Sequence, residues 1–139
     1  MATMVRANIS RKNKYWISKH RHYELKHFCL QYPTWKYEYE FLNIPTISTS
    51  VLDGLPSGSS ISDPTANSVI NKISYAERIQ LIEDTVMKTD KYLYEYLLRA
   101  VTEGLSYTYL KTRLKMPCGR DYYYEKYRKF FWLLSEARK

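Results

Sequence analysis

The sequence contains few of the residues that disulfide scaffolds and membrane spans require. Only two of its 139 residues are cysteines, Cys29 and Cys118, which is too few for a disulfide framework. No apolar run approaches the roughly 20 residues that cross a bilayer, and no apolar stretch with a small-residue cleavage site opens the chain. These absences predict a cytoplasmic protein with reduced thiols and no membrane contact.

Catalytic motifs are also missing. The chain has only four glycines, no glycine-rich phosphate loop, no Gly-x-Ser-x-Gly and no His-Glu-x-x-His. His20, His22, His27 and Cys29 fall within ten residues, but on a helix they divide between two faces and cannot close a tetrahedral metal site by themselves. We therefore expect no enzyme activity, no metal and no cofactor.

Positive charge is abundant and unevenly placed. The net charge is +8, with +5 on residues 1–42 and +6 on residues 106–139, while the stretch between them is mildly acidic. A basic balance concentrated at two places favours a polyanionic partner, either nucleic acid or an acidic membrane surface.

Hydrophobic periodicity predicts an all-α helical bundle in three parts. Residues 1–42 form a basic N-terminal helical segment, with a helix beginning after Ser18 and a second one over residues 34–42, beyond Pro33. Residues 43–62 are rich in Ser, Gly and Pro and predict a flexible linker. Residues 63–139 form a helical domain.

The domain begins with Asp63-Pro64, a helix N-cap followed by proline at the first helical position. A single apolar seam then predicts a helix over residues 64–87, which is either the spine of the domain or a dimerisation helix. The next helix, residues 90–102, is expected to bury Tyr92 and Tyr96. The many tyrosines are interpreted mainly as core residues, with stacking on single-stranded bases as the alternative.

The C-terminal stretch predicts a helix-turn-helix of the kind found in sigma factors. A short helix over residues 106–114 is followed by a turn with Pro117 and Gly119 and by a basic helix, Arg120–Ala137. In this motif the second helix lies in the DNA major groove. The helical wheel assigns its buried face to five residues: Tyr123, Tyr127, Phe130, Phe131 and Leu134.

Two sets of residues are candidates for DNA contact. The first turn of a recognition helix usually reaches base edges, which gives the base-reading candidates Arg120, Asp121, Tyr122, Glu125 and Lys126. Basic residues around that turn are better placed to hold phosphates; these are Lys111, Arg113, Lys115, Arg128 and Lys129.

Three stretches resemble the RinA/ArpU-like late-gene regulators of phages and prophages of Gram-positive bacteria. They are YELKHFCLQYPTW at residues 23–35, PSGS at 56–59 with SDPTA at 62–66, and MPCGRD at 116–121 with the Tyr, Arg-Lys-Phe-Phe and Leu positions that follow. The resemblance implies a transcriptional regulator that binds double-stranded DNA in the cytoplasm of the bacterial host. Gly119 stands where the family pattern has a serine N-cap, and glycine is a tolerable cap.

Partners and rival functions follow from the same features. Helix-turn-helix proteins usually bind paired half-sites as dimers, so we expect a homodimer, with host RNA polymerase as a further possible partner. The main alternative is a phage protein-interaction module that inhibits or redirects a host protein. A second alternative is a small-terminase-like packaging protein, which would form a ring.

Overall fold

The computed structural model describes residues 11–41 and 64–139, and within the second range the side chains from residue 67 onward. These residues form helices and turns without a strand, so the prediction of an all-α fold is confirmed. The helices are α1 (Lys19–Leu30), α2 (Tyr32–Phe41), α3 (Pro64–Thr89), α4 (Tyr94–Glu103), α5 (Tyr107–Thr112) and α6 (Arg120–Ala137).

The first helix begins where the sequence predicts, but the break between the first two helices lies at a different residue. Ser18 caps α1 by accepting a hydrogen bond from the amide of Arg21. The break comes at Gln31 rather than at Pro33, because proline fits within the first turn of α2, where a missing N–H costs little. α2 runs antiparallel to α3, since the Tyr32 hydroxyl donates to Glu83 at 2.5 Å while Tyr39 meets Lys72 near the other end.

One hydrophobic core joins the N-terminal helices to the rest of the described chain. Leu25, Phe28 and Cys29 of α1 and Trp35 of α2 belong to the same buried cluster as residues of α3 to α6. The predicted linker, residues 43–62, lies outside the described residues. The segments on either side of it therefore pack together.

α4 differs from its predicted position. The helix begins at Tyr94 rather than at residue 90, because the Asp90 side chain accepts hydrogen bonds from the amides of Tyr92 and Leu93 and forms a separate turn. This turn directs Tyr92 outward, and it is 75% exposed. The prediction that Tyr92 is buried is wrong, and Tyr96 is only half-buried.

The long predicted helix is present as α3, with 26 residues. Only its C-terminal half enters the core, through Ile79, Ile82 and Val86. Val69 and Ile73, which belong to the predicted apolar seam, are 49% and 55% exposed. The N-terminal half of α3 thus presents apolar side chains to solvent.

The predicted inner face of α6 is confirmed, since all five of its residues are buried. α6 packs against both α3 and α1. Arg21 of α1 fixes its C-terminal end, where the guanidinium donates to the carbonyl oxygens of Ser135 at 3.2 Å and Arg138 at 3.0 Å. Carbonyls in the last turn lack intrahelical donors, so this contact supplies them.

The imidazole of His22 lies inside the aromatic core. Its ring is 4.8 Å from that of Phe131 and 6.3 Å from that of Tyr127, and its buried Nε2 has no hydrogen-bond partner. Burial, with a smaller contribution from Lys26, lowers the pKa of His22 from 6.5 to about 4. Folding therefore favours the neutral imidazole.

Acid should destabilise the protein through His22. The pKa is lower in the folded chain than in the unfolded one, so this contribution to stability is complete above pH 6.5 and is lost as the pH falls towards 4. We expect urea denaturation to show a fall in unfolding free energy on the order of 1–2 kcal/mol across that interval. His22→Phe should flatten this pH dependence, whereas the exposed-residue control His20→Gln should retain it. An unchanged slope in His22→Phe would contradict the assignment.

Candidate nucleic-acid interface

α5 is a short helix with well-defined ends. The hydroxyl of Ser106 caps it by accepting from the amide of Tyr109 at 3.1 Å. Its C-terminal end closes when the amide of Met116 donates to the carbonyl of Leu110 at 3.0 Å, in a C-terminal capping motif whose bond spans seven residues. The buried Met116 side chain anchors the turn in the core. Residues 113–119 connect α5 to α6, a longer connection than the usual three or four residues.

Lys115 occupies a strained position in this connection. Its φ is +57°, in the left-handed region where glycine normally closes such a motif. Its side chain is exposed. A lysine at this position adds a positive charge at a backbone position that favours glycine.

The exposed side chain of Lys111 binds the backbone of the turn. Its Nζ donates to the carbonyl oxygens of Met116 at 3.1 Å and Cys118 at 2.9 Å. An ammonium group has three donors, so one remains for another acceptor. The predicted phosphate contact therefore has a structural function as well, which its position in the sequence does not reveal.

Gly119 is the N-cap of α6, as expected, and it forms no side-chain cap bond. Arg120 follows it, and its guanidinium lies over the rings of Tyr107 and Tyr124, 5.3 Å and 5.9 Å from their centroids. Such cation–π contacts leave the guanidinium edge available for hydrogen bonds. Tyr107 also contacts Tyr123, with ring centroids 5.6 Å apart, and so joins α5 to α6.

Tyr122 links the start of α6 to the turn before α4. Its hydroxyl donates to Oδ2 of Asp90 at 2.5 Å, and Lys126 Nζ lies 5.1 Å from the centre of its ring. Partial burial works to raise the pKa of Asp90, but the bonds from Tyr122 and from two backbone amides outweigh it, and the pKa lies below its ordinary value. Asp90 therefore stays ionised and positions two of the base-reading candidates.

The remaining candidates differ in exposure. Asp121, Glu125 and Arg113 are exposed, and Lys129 is half-buried. Arg128 is also half-buried, and its buried Nε has no hydrogen-bond partner. The structure thus gathers all ten predicted residues on α5, the turn and the first three turns of α6.

The density of basic residues distinguishes this region from the rest of the described chain. Seven Lys or Arg residues lie between positions 111 and 129, and none of them forms an ion pair with a carboxylate of the described residues. The ion pairs are elsewhere: Arg21–Glu24, Lys36–Glu83, Arg99–Glu103 and Glu136–Lys139. The seven basic residues outnumber the two carboxylates between positions 111 and 129, those of Asp121 and Glu125. The surface formed by α5, the turn and α6, called the basic surface below, therefore carries a net positive charge.

Sequence reasoning did not assign Asp90 or Tyr107 to this region. The turn at Asp90 could be predicted from the local sequence, because an Asp side chain often accepts hydrogen bonds from the amides two and three residues further on, in an Asx turn. Its bond to Tyr122 spans 32 positions, and no local pattern indicates it. The Tyr107–Arg120 contact was likewise not predictable from the sequence, because the turn separates the two residues along the chain.

No family model, no curated protein and no solved structure matches the chain. Within residues 11–41 and 64–139, no group of three or more His, Cys, Asp or Glu side chains is arranged to hold a metal ion. None of the helices in those ranges is long and apolar enough to cross a membrane.

Lys115→Gly should stabilise the protein while weakening any phosphate contact. Glycine adopts a positive φ without the steric cost that lysine carries, and we expect the unfolding free energy to rise by about 0.5–1 kcal/mol in chemical denaturation. Lys115→Ala is the matched control, because it removes the same charge but keeps the strained Cβ. Equal stability of the two variants would contradict this account of the turn.

Proposed function

We propose that the protein binds duplex DNA through the basic surface, with the first turn of α6 in the major groove. The observation that carries this proposal is the set of seven unpaired Lys and Arg residues between positions 111 and 129. Basic side chains concentrated on one surface create a positive potential that attracts a polyanion such as duplex DNA.

The proposed contacts fall into two kinds. Arg113, Lys115 and Lys129 reach phosphates, which gives affinity that depends on salt but not on sequence. Arg120, with its guanidinium edge free above two tyrosine rings, is the best-placed side chain to grip a guanine. Asp121 and Glu125 repel phosphates, and their place on this surface is best explained by acceptance of a hydrogen bond from cytosine.

The role proposed for Tyr122 differs from the base reading that the sequence predicts. Its hydroxyl is engaged by Asp90, so we assign it to positioning of the first turn of α6 and to apolar contact with a base through its ring. Lys126, which lies over that ring, is held beside it. Lys111 supplies one free donor from the turn.

The biological function that we propose is regulation of phage late-gene transcription in a bacterial cytoplasm, and it rests on the resemblance of the residue 23–35, 56–66 and 116–134 stretches to RinA/ArpU-like proteins. A contact with host RNA polymerase would fit the same function. The second candidate function, a module that binds a host protein, is favoured by the exposed aromatic pair Tyr37 and Phe41 on α2, whose ring centroids are 4.4 Å apart. A small-terminase-like packaging protein would also bind DNA but would assemble as a ring.

Neutralising two phosphate contacts should lower both affinity and its salt dependence. The side chains of Arg113 and Lys129 form no ion pair or hydrogen bond within the described chain, so Arg113→Gln with Lys129→Gln should leave the fold intact. We expect about a tenfold loss of duplex affinity near 100 mM salt and a log–log salt slope smaller by about two, measured by fluorescence anisotropy.

The matched control for this pair is Lys36→Gln with Arg78→Gln, which removes the same charge from α2 and α3. Lys36 pairs with Glu83, and Arg78 lies over Trp35. This control should keep the wild-type slope. Equal losses in both double variants would mean that net charge alone drives binding, and an unaffected Arg113/Lys129 variant would remove those residues from the interface.

We also propose a homodimer formed through the N-terminal half of α3. Val69 and Ile73 are exposed there, and Lys72 is the one charged residue between positions 64 and 76, so little like charge opposes the approach of a second copy. Ile73→Glu should reduce a dimer mass to that of a monomer in analytical ultracentrifugation. A monomeric wild-type protein would rule out this interface, and a mass of many subunits would favour the packaging alternative.

A further inference from the structure

Residues 11–16, called the N-terminal arm below, lie against α6 far from its first turn. The ring of Tyr15 is 6.0 Å from that of Trp132. Asn13 shapes this arm, since its Oδ1 accepts from the amide of Tyr15 at 2.8 Å and its carbonyl accepts from the amide of Trp16 at 3.0 Å. The arm is therefore held by a turn and by an aromatic contact.

Trp132 places the arm in line with the base-reading candidates. It follows Asp121 by eleven residues, which is close to three helical turns, so both lie on the same face of α6. At 1.5 Å per residue their separation along the axis is about 16 Å. Because the major groove is about 12 Å wide, a duplex that receives the first turn of α6 brings flanking phosphates within reach of the arm.

The charges of the arm suit that position. Residues 11–23 contain five Lys or Arg and no Asp or Glu. The guanidinium of Arg11 lies 5.6 Å from the centre of the Trp16 ring, and Lys14 Nζ lies 5.0 Å from that of Tyr15. The rings orient these two cations without neutralising them.

Nearby carboxylates are already engaged. Glu24 pairs with Arg21 at 2.6 Å, and Glu136 pairs with Lys139 at 3.1 Å. Neither Arg11 nor Lys14 forms an ion pair with a carboxylate in the part of the chain that the structure describes. Arg11 and Lys14 thus extend the positive charge of the basic surface along α6.

We propose that the N-terminal arm is a second DNA contact, in which Arg11 and Lys14 bind backbone phosphates of the same duplex that α6 reads. This inference rests on the proposed function and adds to it phosphate contacts on one side of the site that the first turn of α6 occupies, so the footprint extends further at that edge. Tyr15 is a positioning residue that holds the arm on Trp132.

The test compares Arg11→Gln with Lys14→Gln against the wild-type chain, in a salt series and in hydroxyl-radical footprinting. We expect the log–log salt slope to fall by about two and the protected region to become shorter at one edge. The control Lys36→Gln with Arg78→Gln should change neither. A smaller slope with an unchanged footprint would overturn the placement of the arm.

A second pair of variants tests Tyr15 without removing charge. Tyr15→Ala should release the arm and shorten the footprint, and Tyr15→Phe, which keeps the ring contact, should restore it. Failure of the proposed function and failure of this inference give different results. A wild-type chain without salt-dependent duplex binding would contradict the proposed function itself. A wild-type chain that binds, with arm variants that match it in slope and footprint, would end this inference alone.

Discussion

Burial of one face of α6 is the constraint on which the rest of the structure depends. Tyr123, Tyr127, Phe130 and their neighbours fill the core between α1 and α3, and this packing fixes which side of α6 remains in solvent. Arg21 holds the C-terminal end of the helix through two carbonyls, and Asp90 holds its first turn through Tyr122. α6 is therefore fixed at both ends. The proposed docking in the DNA major groove requires such a fixed helix.

The same packing joins the N-terminal helices to the proposed DNA-binding surface. α1 covers one side of α6 and brings Tyr15 onto Trp132, while the Arg21 contact ties the two helices together. In this account the turn, α6 and the arm form one continuous positive surface, and the apolar half of α3 is left for a second copy. DNA contact and assembly would then use separate parts of the chain.

Local patterns were enough to predict the helices and the buried face of α6, because periodicity and N-caps such as Ser18 and Ser106 act over a few residues. They were not enough for Tyr92, whose spacing fits a helix that the Asp90 turn prevents from starting. Nor did they reveal that Lys111 binds turn carbonyls, that Asp90 meets Tyr122, or that the arm meets Trp132, since those contacts depend on tertiary packing. The candidate residues were thus chosen from their positions in the predicted helix-turn-helix, and their contacts became visible only in the folded structure.

The most direct test of this account is an NMR titration of the labelled protein with a short duplex of about 20 base pairs. We predict that amide shifts will change along residues 106–132 and in residues 11–16, while the α2–α3 pair from Trp35 to Arg78 stays unperturbed. Perturbation centred on α2 and the N-terminal half of α3, or no perturbation at any duplex concentration in low salt, would contradict the claim that α6 and its surroundings form a DNA-binding surface.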